Sequence, residues 1–82
     1  MLTGDQLRAA RAIVRMDQTV LAEKADVSVE TIKRLEKLEG PLVGAKAGTL
    51  DAVQHALEKA GVIFVEENGE GPGVRLRKVK KR

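Results

Sequence analysis

Most of the chemistry open to this sequence sits between Val29 and Lys37. At helical spacing, Ile32 and Leu35 fall on one side of that stretch, and Val29, Glu30, Lys33, Arg34 and Lys37 fall on the other. The second set is mostly charged, and no core needs it. Such a face suits hydrogen bonding and ion pairing with something outside the chain, and its size and charge suit a DNA major groove. It can also be no more than the solvated side of a plain three-helix bundle, with Glu30 pairing only to Lys33 or Arg34 one turn on. Catalytic chemistry has far less to stand on. His55 is the single histidine and there is no cysteine, so a surface role is expected for it, with no metal and no cofactor. Gly69, Gly71 and Gly73 are followed by no Lys-Ser/Thr pair, so they read as a turn and not as a phosphate loop. No nucleophile stands with a base, and the chain is not expected to be an enzyme.

The elements that must position this face can be read from caps and periodicity. Thr3-x-x-Gln6 is a capping-box pattern, and Leu7, Ala10, Ile13 and Val14 recur at helical spacing, which predicts a helix over about 4–15. Asp17 can cap a short helix over about 18–25, with Leu21, Ala22 and Ala25 inward. Asp26-Val27-Ser28 breaks the pattern, and Ser28 can cap the helix over about 29–37. Gly40 and Pro41 follow it, and a Gly-rich loop is expected to run to Gly48. Thr49 is the N-cap candidate for a fourth helix with a stripe of Leu50, Val53, Leu57 and Ala60, which Gly61 would stop in a left-handed conformation. Val62-Ile63-Phe64-Val65, the turn residues from Asn68 to Gly73, and Val74-Arg75-Leu76-Arg77 predict a β-hairpin over about 62–77. The expected fold is therefore mainly α: four helices followed by a C-terminal β-hairpin. Two short helices joined by a turn of about three residues, over about 18–37, set the second helix across the first, the geometry of a helix-turn-helix. Ala22 is small enough for the crossing.

At 82 residues the chain has room for one domain, taken as 1–77, with 78–82 as a basic tail. Six of its fifteen bases fall between Arg75 and Arg82, so nine bases face twelve acids in the remainder and the body carries a net −3. The overall charge of +3 thus belongs to the tail, which suits contact with phosphates or serves only as a solubilising segment. No apolar run approaches the roughly 18 residues of a membrane span, and no export signal is visible. A cytoplasmic location with no membrane partner is expected.

The pattern Gln18-x-x-Leu21-Ala22-x-x-Ala25-x-Val27-Ser28-x-x-Thr31-Ile32-x-x-Leu35-Glu36 resembles the signature of the Xre/Cro family, the lambda-repressor-like helix-turn-helix regulators. The likeness is strong over about 2–40, and 50–77 is similar to a tail found on small bacterial members. It implies a bacterial or phage protein, associated with the nucleoid, that regulates transcription. Gln18 would bond a DNA phosphate at the positive end of its helix. Ser28, Val29, Glu30, Lys33, Arg34 and Lys37 would meet bases or the adjoining backbone. Among them Arg34 suits guanine, Glu30 a cytosine amino group and Val29 a thymine methyl. Arg11 and Glu36 match a partly buried ion pair between the first and third helices. One position departs from the signature: Asp26 stands where a glycine is usual, at a site that takes a left-handed backbone.

The function expected from these residues is a sequence-specific regulator, a repressor, that binds double-stranded DNA at a palindromic operator as a homodimer through helix 29–37. The hairpin 62–77 offers open edges for the second copy, burying Ile63, Phe64 and Val65 between subunits, unless it simply folds back on the fourth helix. The alternatives are an antitoxin or antiactivator that works mainly by binding a partner protein, and a nucleic-acid binder without sequence preference.

Overall fold

The computed structural model describes residues 2–78. Four helices come first, α1 (Gly4–Ile13), α2 (Gln18–Ala25), α3 (Val29–Lys37) and α4 (Ala47–Lys59), followed by strands β1 (Val62–Val65) and β2 (Gly73–Leu76). The strands form one antiparallel hairpin in the register Val62 to Leu76, Ile63 to Arg75, Phe64 to Val74 and Val65 to Gly73. The core takes most of the inward positions named by periodicity, but Ile13, expected on the inner stripe of α1, is exposed, because α1 ends there and turns away at Val14 and Arg15. Leu7 of α1, Leu21 of α2, Ile32 and Leu35 of α3, Val53 and Leu57 of α4, and Val62 of β1 are all fully buried, together with Leu42 from the α3–α4 loop.

Helix boundaries follow from local chemistry where caps are strong. Thr3 and Gln6 form the reciprocal capping box, each backbone amide donating to the other's side chain at 3.0 Å. Ser28 accepts from the Thr31 amide at 3.1 Å and opens α3. Asp17 occupies the N-cap of α2 without a side-chain cap bond. α1 is shorter than the expected 4–15. Arg15 turns left-handed at φ 55°, and its amide and that of Met16 donate back to the Ala12 and Arg11 carbonyls at 3.2 and 2.9 Å. This is a Schellman closure made without glycine.

Asp26 closes α2 in the same way. It stands at φ 56°, ψ 46°, with the Val27 amide donating to the Ala22 carbonyl at 2.9 Å. The left-handed state costs a β-carbon residue energy that aspartate partly escapes. Asp26→Gly is therefore expected to raise stability by up to about 1 kcal/mol, read as a higher urea midpoint at unchanged slope. A lower midpoint would show that the Asp26 side chain contributes more than its backbone strain costs.

α4 begins at Ala47, with Lys46 at the N-cap, and not after Thr49. The Gly-rich loop expected to reach Gly48 ends two residues earlier. Leu42 is buried and its amide donates to the Leu2 carbonyl at 3.1 Å, while Ala45 packs on the core, so the chain is already anchored when it arrives at Lys46. The inward stripe of α4 also differs at one end: Ala56 is buried and Ala60 is exposed at the C-cap. Gly61 follows at φ 113°, a positive angle, as expected of the residue that stops the helix.

The hairpin does fold back on the helices. Val62 is in the core, and Phe64 and Val74 on the same face pack against it. At its far end the Gln6 amide of α1 donates to the Val65 and Gly73 carbonyls at 3.1 and 3.0 Å, pinning both strands to α1. The turn is held by Glu67, whose carboxylate accepts from the Gly69 and Gly71 amides at 2.7 and 3.0 Å. Residues 79–82 of the basic tail lie outside the described residues.

Candidate nucleic-acid interface

α3 is fixed from behind by charge as well as by packing. Glu36 is only 5% exposed, and its carboxylate receives Nη2 of Arg11 at 2.8 Å, the Arg11 Nε, and the Gln18 amide at 3.0 Å. Arg11 also donates to the Met16 carbonyl at 2.8 Å, so one guanidinium ties the end of α1, the start of α2 and the inner side of α3 together. The hydrogen bonding of Arg11 to Glu36 is the largest influence holding the Arg11 pKa above its ordinary value, and it outweighs the opposing effect of burial. At the C-terminal end of α3, Arg8 bridges the Glu36 carbonyl and the Asp5 carboxylate, a cation placed at the negative pole of the helix.

With Glu36 neutralised inside, the outward side of α3 carries Lys33, Arg34 and Lys37 against the single acid Glu30. All four are exposed, and among the described residues none has a salt-bridge or side-chain hydrogen-bond partner. The one-turn pairing of Glu30 with Lys33 or Arg34 does not form. Ser28 is exposed too, but its hydroxyl is engaged with the Thr31 amide and, at 2.9 Å, with the Thr31 hydroxyl. Val29 is half-buried and rests partly on the core, leaving only part of its side chain to the outside.

Gln18 departs most from the expected arrangement. It stands at the first position of α2, as required, yet its side-chain amide is directed inward to Glu36. Its backbone still contributes to the free amides of the helix start, where the N-cap residue Asp17 makes no side-chain cap bond.

Sequence reading missed Lys46. A groove of about 650 Å³ runs along α3 between Ser28, Thr31 and Arg34 on one wall and Ala45, Lys46 and Thr49 on the other. It brings the N-terminal end of α4, whose first turn has no acid, alongside the face of α3. The signal was present in the sequence as a lysine at a loop–helix junction. Misplacing that junction at Thr49 hid it. Elsewhere, the described residues hold no group of three or more histidine, aspartate or glutamate side chains able to bind a metal. No described helix is long and apolar enough to cross a membrane.

Compared with models of protein families and with curated proteins, the chain finds no significant match.

Proposed function

We propose that this chain is a sequence-specific DNA-binding regulator of transcription of the Xre/Cro type, a repressor working at the bacterial or phage nucleoid. It binds a palindromic operator as a homodimer and lays α3 in the major groove. The observation that carries this reading is the division of labour on α3. Its inner side is fixed by Ile32, Leu35 and the Arg11–Glu36–Gln18 cluster, while Glu30, Lys33, Arg34 and Lys37 stand outward with no intramolecular partner. Four unpaired charged side chains on a rigid helix are what base and phosphate contact requires, because little ordering is left to be done on binding. Arg34 reads a guanine, Lys33 and Lys37 meet phosphates, and Lys46 and the start of α2 flank them on the backbone. The amide of Gln18 positions α3 through Glu36, and its backbone N–H remains for the phosphate.

Binding of the purified protein to the DNA upstream of its own gene, against a scrambled duplex at stated and varied salt, tests the proposal. Selective binding is expected. Arg34→Ala should lower the discrimination by about 1–3 kcal/mol while leaving the circular dichroism and melting curve unchanged, because Arg34 is exposed and, among the described residues, makes no salt bridge or side-chain hydrogen bond. Equal affinity for both duplexes would turn the assignment to a binder without sequence preference. No affinity for either would turn it to an antitoxin or antiactivator whose partner is a protein.

A further inference from the structure

The turn of the hairpin carries reactive groups that the proposed DNA contact does not use. Asn68 is the only asparagine in the chain, and Gly69 follows it. Both are exposed, as are Glu66, Glu67 and Glu70 around them. Two hydrogen bonds act on this pair from opposite sides. The Gly69 amide donates to Oε2 of Glu67 at 2.7 Å, and the side-chain Oδ1 of Asn68 accepts from the Glu70 amide at 3.3 Å. The first puts a carboxylate on the proton of the Gly69 nitrogen. The second draws electron density away from the side-chain carbonyl carbon of Asn68. Gly69 stands at φ 103°, and a β-carbon built there would meet nothing within 4 Å, so the space beside its nitrogen is open.

We infer that Asn68 is a site of self-modification, deamidated in the folded protein with Glu67 as the base. The Gly69 nitrogen attacks Cγ of Asn68 and closes a succinimide ring. Oε2 of Glu67 takes the proton from that nitrogen and passes it to Nδ2, which leaves as ammonia when the Cγ–Nδ2 bond breaks. Meanwhile the Glu70 amide stabilises the negative charge that develops on Oδ1. Water then opens the ring. Addition at Cγ gives aspartate, and addition at the main-chain carbonyl gives isoaspartate, with the backbone longer by a methylene. Holding nucleophile, base and carbonyl in one tight turn removes ordering that an unfolded chain must do first. Either product carries a new carboxylate beside Glu66, Glu67 and Glu70, and no base lies between Lys59 and Arg75 to offset it. In the succinimide the Gly69 nitrogen has no proton, so the Glu67 clasp keeps only the Gly71 amide, at 3.0 Å. The far end of the hairpin then rests on the bonds from Gln6 to the Val65 and Gly73 carbonyls. The reaction is irreversible and needs no partner, so the deamidated fraction records the age of the molecule, whether or not the chain binds DNA.

Mass spectrometry on the full chain, sampled over days in buffer and in unfolding urea, tests the assignment. Conversion of an amide to an acid is expected at Asn68, faster in the folded protein than in urea. Glu67→Gln keeps an acceptor for the two glycine amides but cannot take a proton. With its fold verified by circular dichroism, it should slow the folded reaction about tenfold, short of the roughly hundredfold of an enclosed base because this turn is open to water. Its rate in urea should match the parent's. Glu70→Gln removes the same charge but keeps the backbone donor, and should change neither rate. A folded rate at or below that in urea, a Glu67→Gln variant that reacts like the parent, or a Glu70→Gln variant slowed as much as Glu67→Gln would each overturn the role of Glu67. In Asn68→Asp, which carries the product's charge, the Gly69 and Gly71 amides should exchange with solvent faster than in the parent. Equal protection would overturn the loosening of the turn.

Discussion

Replacing Glu36 with alanine is expected to destabilise the protein by about 3 kcal/mol, the largest loss from any single charge in the chain. The side chain is 5% exposed and receives three hydrogen bonds, from Arg11 Nε and Nη2 and from the Gln18 amide. Its removal leaves the Arg11 guanidinium, itself only 21% exposed, without a counter-charge, and leaves the Gln18 amide without an acceptor. For a domain of this size the loss corresponds to a fall in melting temperature of roughly 12 °C or more. Thermal and urea unfolding would read it directly, and a fall of only one or two degrees would mean that water replaces the carboxylate at little cost. Glu36→Gln, which keeps the shape and one acceptor, should fall between the two. Arg11 itself brings no pH dependence over the usual range. Its pKa is raised, so its contribution is complete below the ordinary arginine range and is lost only above it. The proposed DNA contact should suffer before unfolding does, because this cluster sets how α3 sits on α1 and α2.

Gly4→Ala is expected to cost about 3 kcal/mol, against the gain of up to about 1 kcal/mol that helix propensity alone would give. Gly4 opens α1 directly beneath the C-terminal end of α3. A β-carbon there would overlap the Leu38 carbonyl oxygen and come within 2.8 Å of the Leu35 carbonyl oxygen. Both obstacles are backbone, so no rotamer change relieves them. The Gly4 amide meanwhile donates to the Gly40 carbonyl at 3.2 Å, so the helix start cannot withdraw without losing that bond. Either the end of α3 shifts or α1 frays. A urea midpoint below that of the wild type, with Lys37 and Leu38 amides exchanging faster, is the expected result. An unchanged or higher midpoint would show that the 38–40 segment yields freely. Glycine at the first turn of a helix reads, in sequence, as a weak helix former. Its necessity appears only when α3 is laid across it.

The sequence alone determined four helices and a hairpin, and it named the core side chains at Leu7, Leu21, Ile32, Leu35, Val53 and Leu57. Those features depend on chemistry local in the chain: the Thr3–Gln6 and Ser28–Thr31 caps, the 3.6-residue apolar period, and the alternation of Val74 to Arg77. The same period identified the exposed charges of α3, because residues that cannot be inside must be outside. Tertiary structure decided what depends on residues distant in sequence. It placed Leu42 in the core and so started α4 at Lys46, which brought that lysine beside Arg34. It turned the Gln18 side chain to Glu36, eighteen residues away, when its position on α2 suited a phosphate equally well. It closed α1 at Arg15, where no glycine marks the stop. It fixed Phe64 on the core and Ile63 outside, a choice between two faces of one strand that β-propensity leaves open and only the helices beneath it make.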